Sequence, residues 1–213
     1  MKDKICYVVC AGENKGFIIK KTPNNYVIAA DGGLKYLQAI GVVPDLIVGD
    51  FDSTSKPNCG SEIIKLEIDK AETDTFVCIQ EGLKRGYDTF YLYCATGGRI
   101  DHTIANLQTL IFIAKQGARG YLFDGEQVIT VISQNNSISF NSNATGGISV
   151  FALNGNTKGV SIAGLKYTLN NSVLSEDFPL GVSNSFIAKS SKIECKEGYL
   201  AVVFPTTEIK NLV

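Results

Sequence analysis

The sequence predicts two architectures in succession, α/β and then all-β, and three observations carry that reading. Up to residue 124, continuous apolar runs alternate with amphipathic helical patterns, as in a parallel sheet covered on both faces. Beyond it, short apolar runs are separated by Gly and Asn clusters with no comparable helix, which suggests an antiparallel sandwich or barrel. Charge changes at the same place: residues 1–124 carry 14 basic and 15 acidic side chains, residues 125–213 only 6 and 6. The shift predicts domains at 1–124 and 125–213.

In the first part, Ile5–Cys10 is an apolar run stopped by Ala11-Gly12, the pattern of a buried parallel strand. Tyr26–Ala30, Leu46–Val48, Ile63–Ile68, Phe90–Cys94 and Gly120–Phe123 read as further strands. A short helix is expected near Leu34–Ile40, stopped by Gly41. Phe76, Ile79 and Leu83 mark a second helix, stopped by Gly86, and Ile104, Leu107, Ile111 and Ala114 a third, ended by Gly117. The second part offers Val128–Ile132, Ser137–Phe140, Ile148–Leu153, Val160–Ile162, Phe186–Ala188 and Tyr199–Phe204 as strands. Asn135-Asn136, Gly146-Gly147, Asn154-Gly155-Asn156 and Asn170-Asn171 are the turns expected between them.

With 213 residues, 45% of them apolar, the chain can bury a real core, and its net charge of −1 offers no basic surface for a nucleic acid. No apolar run reaches the roughly 20 residues needed to span a bilayer. The apolar stretch in MKDKICYVVCAGENKG is too short for a signal peptide and no cleavage pattern follows it. A soluble cytoplasmic protein is expected. Cys6, Cys10, Cys59, Cys78, Cys94 and Cys195 form no C-x-x-C pair and read as reduced, buried thiols. His102 is the only histidine, which excludes H-E-x-x-H and multi-histidine metal sites. Neither a P-loop nor a G-x-G-x-x-G is present.

Three polar clusters each follow a predicted strand: Ala30-Asp31-Gly32-Gly33, Gly49-Asp50-Phe51-Asp52-Ser53, and Ala95-Thr96-Gly97-Gly98-Arg99-Ile100-Asp101-His102. Ligands of open parallel sheets bind outside the carboxyl ends of the strands, so the clusters converge on one edge. Asp50 and Asp52, two apart, can face one point, as magnesium ligands or as solvated loop residues. Thr73 or Asp74 is the N-cap of the second helix or joins that site, and Lys70 binds phosphate or is simply solvated. Gly97-Gly98 before a helix start, with Arg99 beside it, favours an anion; a capped loop with a surface arginine is the plainer alternative.

At these residues the sequence resembles the thiamine pyrophosphokinase (thiamine diphosphokinase) family. The resemblance runs along most of the chain, through AADGG, PDLIVGDFDS, KAETDT, ATGGRIDHTIANLQTL and LGVSNSF. It implies a Rossmann-like α/β catalytic domain for ATP and magnesium, a C-terminal β-sandwich for thiamine, and a homodimer with active sites at the subunit interface. The implied reaction transfers the diphosphoryl group of ATP to the thiamine hydroxyl and releases AMP. Carried over by position, Asp50, Asp52 and Asp74 are the implied Mg2+ ligands. Asp31, Gly32, Gly33, Thr73, Arg99 and His102 are implied on the nucleotide side; the reading of the residues adds Lys70 and Gly97 at the phosphates. Ser183, Asn184 and Asp101 are implied on the thiamine side, and as a mechanistic expectation Asp101 is the carboxylate set to take the hydroxyl proton.

Two departures are visible. Bacterial members often read SNEF where this chain has Ser183-Asn184-Ser185-Phe186, and the chain has no tryptophan to set against thiamine, leaving Phe186 or Tyr167 as the aromatic. Two rival readings remain: a diphosphokinase of the same fold with another acceptor, such as a hydroxymethylpterin, and a non-catalytic nucleotide or thiamine diphosphate sensor. LGVSNSF argues against the first, and intact Asp50, Asp52, Asp74 and Arg99 against the second.

Overall fold

A computed structural model of the chain describes residues 4–50, 60–67, 71–134 and 136–213. The chain divides into two compact units, Met1–Ile113 with Leu122–Asp124, and Ala114–Tyr121 with Gly125–Val213. Strands pair in parallel in the first and antiparallel in the second, with few helices among the described residues.

The first unit contains β1 (Ile5–Val9), β2 (Tyr26–Ala30), α1 (Gly33–Ala39), β3 (Leu46–Gly49), β4 (Glu62–Lys65), α2 (Asp74–Lys84), β5 (Thr89–Tyr93) and most of α3 (Ile100–Lys115). The last three residues of β6 (Arg119–Asp124) also belong to it. Its strands run β4-β3-β2-β1-β5, all parallel. Tyr7, Val9, Val27, Ala29, Ile47 and Tyr93 pack with Leu37 of α1 on one face. Cys6, Val8, Ile28 and Phe90 alternate to the other, where α2 lies so close that a Cβ on Gly82 would stand 2.5 Å from the Phe90 ring. Covering both faces is what makes these strands continuous apolar runs. Each fully buried Ile, Leu or Phe side chain contributes about 1.5–3 kcal/mol.

Differences from the sequence reading are local. The strand expected at Ile63–Ile68 is the shorter β4, and Ile68 lies outside the described residues. In α3 the buried side chains are Asn106, Thr109, Leu110, Ile113 and Ala114, while Ile104 is exposed, so the buried stripe is rotated from the expected one. The segment Ile104–Ala114 is apolar on several sides, and its periodicity does not select a face.

The second unit contains β7 (Gln127–Ser133), β8 (Ile138–Phe140), β9 (Gly147–Ala163), β10 (Leu169–Leu174), β11 (Asn184–Ser185), β12 (Ser191–Glu194), β13 (Glu197–Pro205) and a 3-10 turn at Thr206–Asn211. β13 pairs with β7 and β9, and β12 with β8 and β9, all antiparallel. The two strands expected at Ile148–Leu153 and Val160–Ile162 are one strand, β9. Asn154 (φ +60°) and Gly155 (φ +104°) bend it without ending it, as a bulge does. Asn170-Asn171 likewise falls inside β10, with Asn171 at φ +47°. Phe140 packs edge-on against Phe186 and Phe204, each at 5.0 Å between ring centroids.

Cys6, Cys10, Cys78, Cys94 and Cys195 are free and buried, as expected for reduced thiols, and Cys59 lies outside the described residues. Among the described residues no helix is long and apolar enough to cross a membrane.

Candidate active site

The chain steps outward from β1 to β4 and then returns to the far side of β1 as β5. Such a reversal leaves a crevice at the carboxyl ends of the strands on either side of it. A cleft of about 500 Å³ opens there, walled by the residues that follow β1, β2 and β5 and by the first turns of α2 and α3. Its volume is that of a small-molecule site.

The floor is made by continuing the β1–β5 pairing. The Cys10, Gly12 and Glu13 N–H groups donate to the carbonyls of Tyr93, Cys94 and Thr96 at 2.9, 2.8 and 2.8 Å. A Cβ on Gly12 would stand 2.4 Å from the Thr96 carbonyl oxygen, so this approach requires glycine. The Thr75 hydroxyl donates to Cys10 Sγ at 3.3 Å. Burial pushes the Cys10 thiol up to about 12 despite that bond, and the Cys94 thiol up to about 11 despite Lys35. Both stay protonated and inert at neutral pH.

The wall nearest α3 is the turn of Gly97 (φ +77°) and Gly98 (φ +64°). A Cβ on Gly98 would meet nothing within 4 Å, whereas one on Gly97 would strike Glu13. Arg99 follows, donating from Nε and Nη2 to the Asp101 carboxylate at 3.2 and 2.6 Å. The side chains are 71% and 63% exposed, so the pair contributes little to stability and exchanges readily for another anion. The Arg99 bond, chiefly, holds the Asp101 carboxyl below the usual carboxylate range. Below these residues Asn106 is buried and donates its amide to the Ala95 carbonyl at 2.7 Å.

Of the residues expected from sequence, Asp31, Thr73, Asp74, Gly97, Arg99 and His102 line this one cleft. Asp31, at φ +45°, donates its N–H to the Val48 carbonyl at 2.7 Å. Thr73 is also the N-cap of α2, its hydroxyl accepting from the Phe76 N–H at 3.2 Å, and Asp74 opens the helix. Asp50 is half-buried just after β3. Asp50, Gly32, Gly33 and Asp101 are not among the described residues lining the cleft. Asp52 and Lys70 lie outside the described residues.

Ser183 and Asn184 belong to the second unit. Ser183 is exposed at φ +61°. Asn184 is buried, accepts from the Tyr167 N–H at 2.9 Å and donates to the Tyr167 carbonyl at 2.7 Å. Phe186 is taken up by the core contact with Phe140, whereas Tyr167 is 58% exposed.

Sequence reasoning read Ala11-Gly12 only as a strand stop, and did not single out Glu13, Thr75 or Asn106. The available signal for Asn106 was a polar residue spaced by i, i+4 and i+7 with Leu110 and Ile113 on the helix.

Two family descriptions match the chain, together taking in most of it: "Thiamin pyrophosphokinase, catalytic domain" over residues 20–122 and "Thiamin pyrophosphokinase, vitamin B1 binding domain" over residues 135–200. The thiamine pyrophosphokinase of Bacillus subtilis (strain 168) is 24% identical over 185 residues, covering 84% of this chain and 86% of that protein. The crystal structure of thiamine pyrophosphokinase from Bacillus subtilis superposes with a TM-score of 0.83 at 23% identity, covering 95% of this chain and 99% of that one. A thiamin pyrophosphokinase family protein from Enterococcus faecalis gives 0.80 at 25% identity, covering 96% and 99%. Thiamin pyrophosphokinase from Candida albicans gives 0.72 at 19%, covering 96% and 90%.

Proposed function

The chain belongs to the thiamin pyrophosphokinase family, and from that premise we propose how its residues transfer the diphosphoryl group of ATP to the thiamine hydroxyl, giving thiamine diphosphate and AMP. The observation that carries the assignment is the gathering of Asp31, Asp74, Arg99, His102 and the Gly97-Gly98 turn around one cleft at the strand reversal. The first matched domain is described as catalytic and the second by vitamin B1 binding, so neither a non-catalytic sensor nor a pterin acceptor is favoured.

Phosphoryl transfer needs positioning and charge neutralisation more than covalent chemistry. The Gly97-Gly98 turn and the N-terminus of α3 present backbone N–H groups and a positive helix end to the phosphates. Arg99 leaves Asp101 and grips the outer phosphate oxygens with its fork, joined by Lys70. Asp31, Gly32, Gly33, Thr73 and His102 form the nucleotide side. Asp101, released when Arg99 turns to the phosphates, is the carboxylate that accepts the hydroxyl proton; a loose transition state makes little demand on that base. Ser183 and Asn184 order the thiamine side of the second unit, where Asn184 acts through its bonds to Tyr167.

The donor chemistry suits a hard divalent cation, since Asp50, Asp52 and Asp74 offer only carboxylate oxygens. Asp52 lies outside the described residues, and among those described no group of three His, Cys, Asp or Glu side chains is close enough to hold a metal ion. Those three aspartates would hold magnesium, which when bound neutralises charge on the phosphate oxygens.

The proposal extends to a Rossmann-like nucleotide domain at 1–124 and a thiamine-binding sandwich at 125–213. It includes a homodimer, on the family resemblance, and a cytoplasmic location, supported by the free buried thiols. The test is AMP release from ATP and magnesium with thiamine or a hydroxymethylpterin as acceptor. Thiamine alone should support release; release with the pterin only, or with neither, overturns the assignment.

A further inference from the structure

We propose that Asp124, which does not line the cleft, is a positioning residue for its phosphate end, acting through Thr96 and Lys15. The inference rests on the nucleotide reading above. Residues 10–25 join β1 to β2 with no helix or strand, longer than the roughly 12–15 residues beyond which structureless connections are uncommon and usually functional. The start of this connection forms the cleft rim at Gly12 and Glu13. Lys15 Nζ donates to Asp124 Oδ1 at 2.7 Å and stands 3.9 Å from Glu13 Oε2. The buried Thr96 hydroxyl donates to the same Asp124 oxygen.

One carboxylate oxygen at the end of β6 therefore ties the β1–β2 connection to the β5–α3 turn. Thr96 closes the loop by accepting the Glu13 N–H on its carbonyl at 2.8 Å, and Gly97 seats against Glu13. The aromatic layer beneath is fixed as well: Phe123 and Phe17 pack on Tyr93 at 4.7 and 5.1 Å. Burial would raise the Asp124 carboxyl, but the bonds from Lys15 and Thr96 outweigh it and hold it below the ordinary carboxylate range. Asp124 is thus ionised at neutral pH, and the clamp is charge-assisted. Without it, Lys15 keeps only its 3.9 Å approach to Glu13 and the Thr96 hydroxyl loses this acceptor, so the β1–β2 connection is held to the Gly97-Gly98 turn less tightly, through the Glu13–Thr96 backbone bond.

The test measures KM for ATP and for thiamine, the affinity for a non-hydrolysable ATP analogue, and thermal stability. The variants are Asp124→Ala, Asp124→Asn, Lys15→Met and the double Asp124→Asn, Lys15→Met. Asp124→Ala should weaken ATP and analogue binding about tenfold with the thiamine KM within about twofold. Asp124→Asn keeps an acceptor for Thr96 and should recover part of the loss, to about threefold. Lys15→Met should match it, and the double variant should be no worse than either single one. An equal rise in both KM values, unchanged nucleotide affinity, or simple additivity in the double variant overturns the proposal. If the alanine variant folds poorly, the asparagine and methionine variants decide by the same criteria. A wild-type chain that releases no AMP sinks the functional reading instead, while the analogue affinities still judge Asp124.

Discussion

Two glycine pairs follow strands in the first unit, and they do different work. Gly32-Gly33 follows β2 and Gly97-Gly98 follows β5. A Cβ on Gly33 would lie 1.9 Å from the Val9 carbonyl oxygen, and Gly33 has no positive φ. Its missing side chain lets α1 settle on β1. Gly98 is the reverse: its φ is +64° and the space above it is open. Its missing side chain leaves backbone exposed to a ligand. One sequence signal, a glycine pair at a strand end, thus covers both a packing device and a binding device, and only the distance to the neighbouring backbone separates them.

The hardest test of that distinction is Gly33→Ala. The new methyl meets backbone rather than a movable side chain, so the loss should be about 3 kcal/mol or more in urea unfolding. A wild-type midpoint would show that α1 does not sit on β1 as described, and the contrast would fail.

Ser183-Asn184 repeats the division within one motif. Asn184→Ala removes the hydrogen bonds to both Tyr167 backbone groups and to the Ser185 N–H at 2.9 Å. A destabilisation of about 2 kcal/mol is expected, since buried partners are left unsatisfied. Ser183→Ala should change stability by less than about 0.5 kcal/mol, as for an exposed side chain. Equal losses would erase the distinction between the packed and the exposed member.

Gly98→Ala sharpens the contrast from the binding side. Positive φ costs an alanine about 1–2 kcal/mol, and no protein atom opposes the methyl. Any rise in the ATP KM must then come from the ligand; about tenfold is expected where backbone meets phosphate. An unchanged KM would move the phosphates away from this turn.

The legibility of the molecule follows the same line. Buried strands, the existence of α2 and the charged clusters after strands are local patterns, and they were readable, although of the expected α2 stripe only Ile79 is buried, beside Thr75, Cys78 and Gly82. The rotated face of α3, the fusion of two expected strands into β9, and the clamp at Asp124 depend on which distant segment arrives opposite, and no local period encodes that. Asp124 is 28 residues from Thr96 along the chain. The packing role of Gly33 was not legible because its contact, Val9, lies on another strand.

The smallest effect belongs to Cys10, which lines the cleft yet is a packing residue by the same criterion. Cys10→Ala removes one sulfur from a closed site, at about 1 kcal/mol or less, and turnover between pH 6 and 8 should be unchanged. The difference should emerge only in alkali. An unfolded thiol ionises near 9, while burial keeps Cys10 protonated to about 12. Between those values the unfolded state holds fewer protons than the folded one, so stability falls as pH rises, by roughly 1.4 kcal/mol per pH unit for one thiol. Removing Cys10 should make the alkaline decline shallower by that one share while the other buried thiols keep the rest. An activity profile that shifts in the neutral range would instead place Cys10 in the chemistry, and would show that a side chain at the floor of this cleft can pack and react at once.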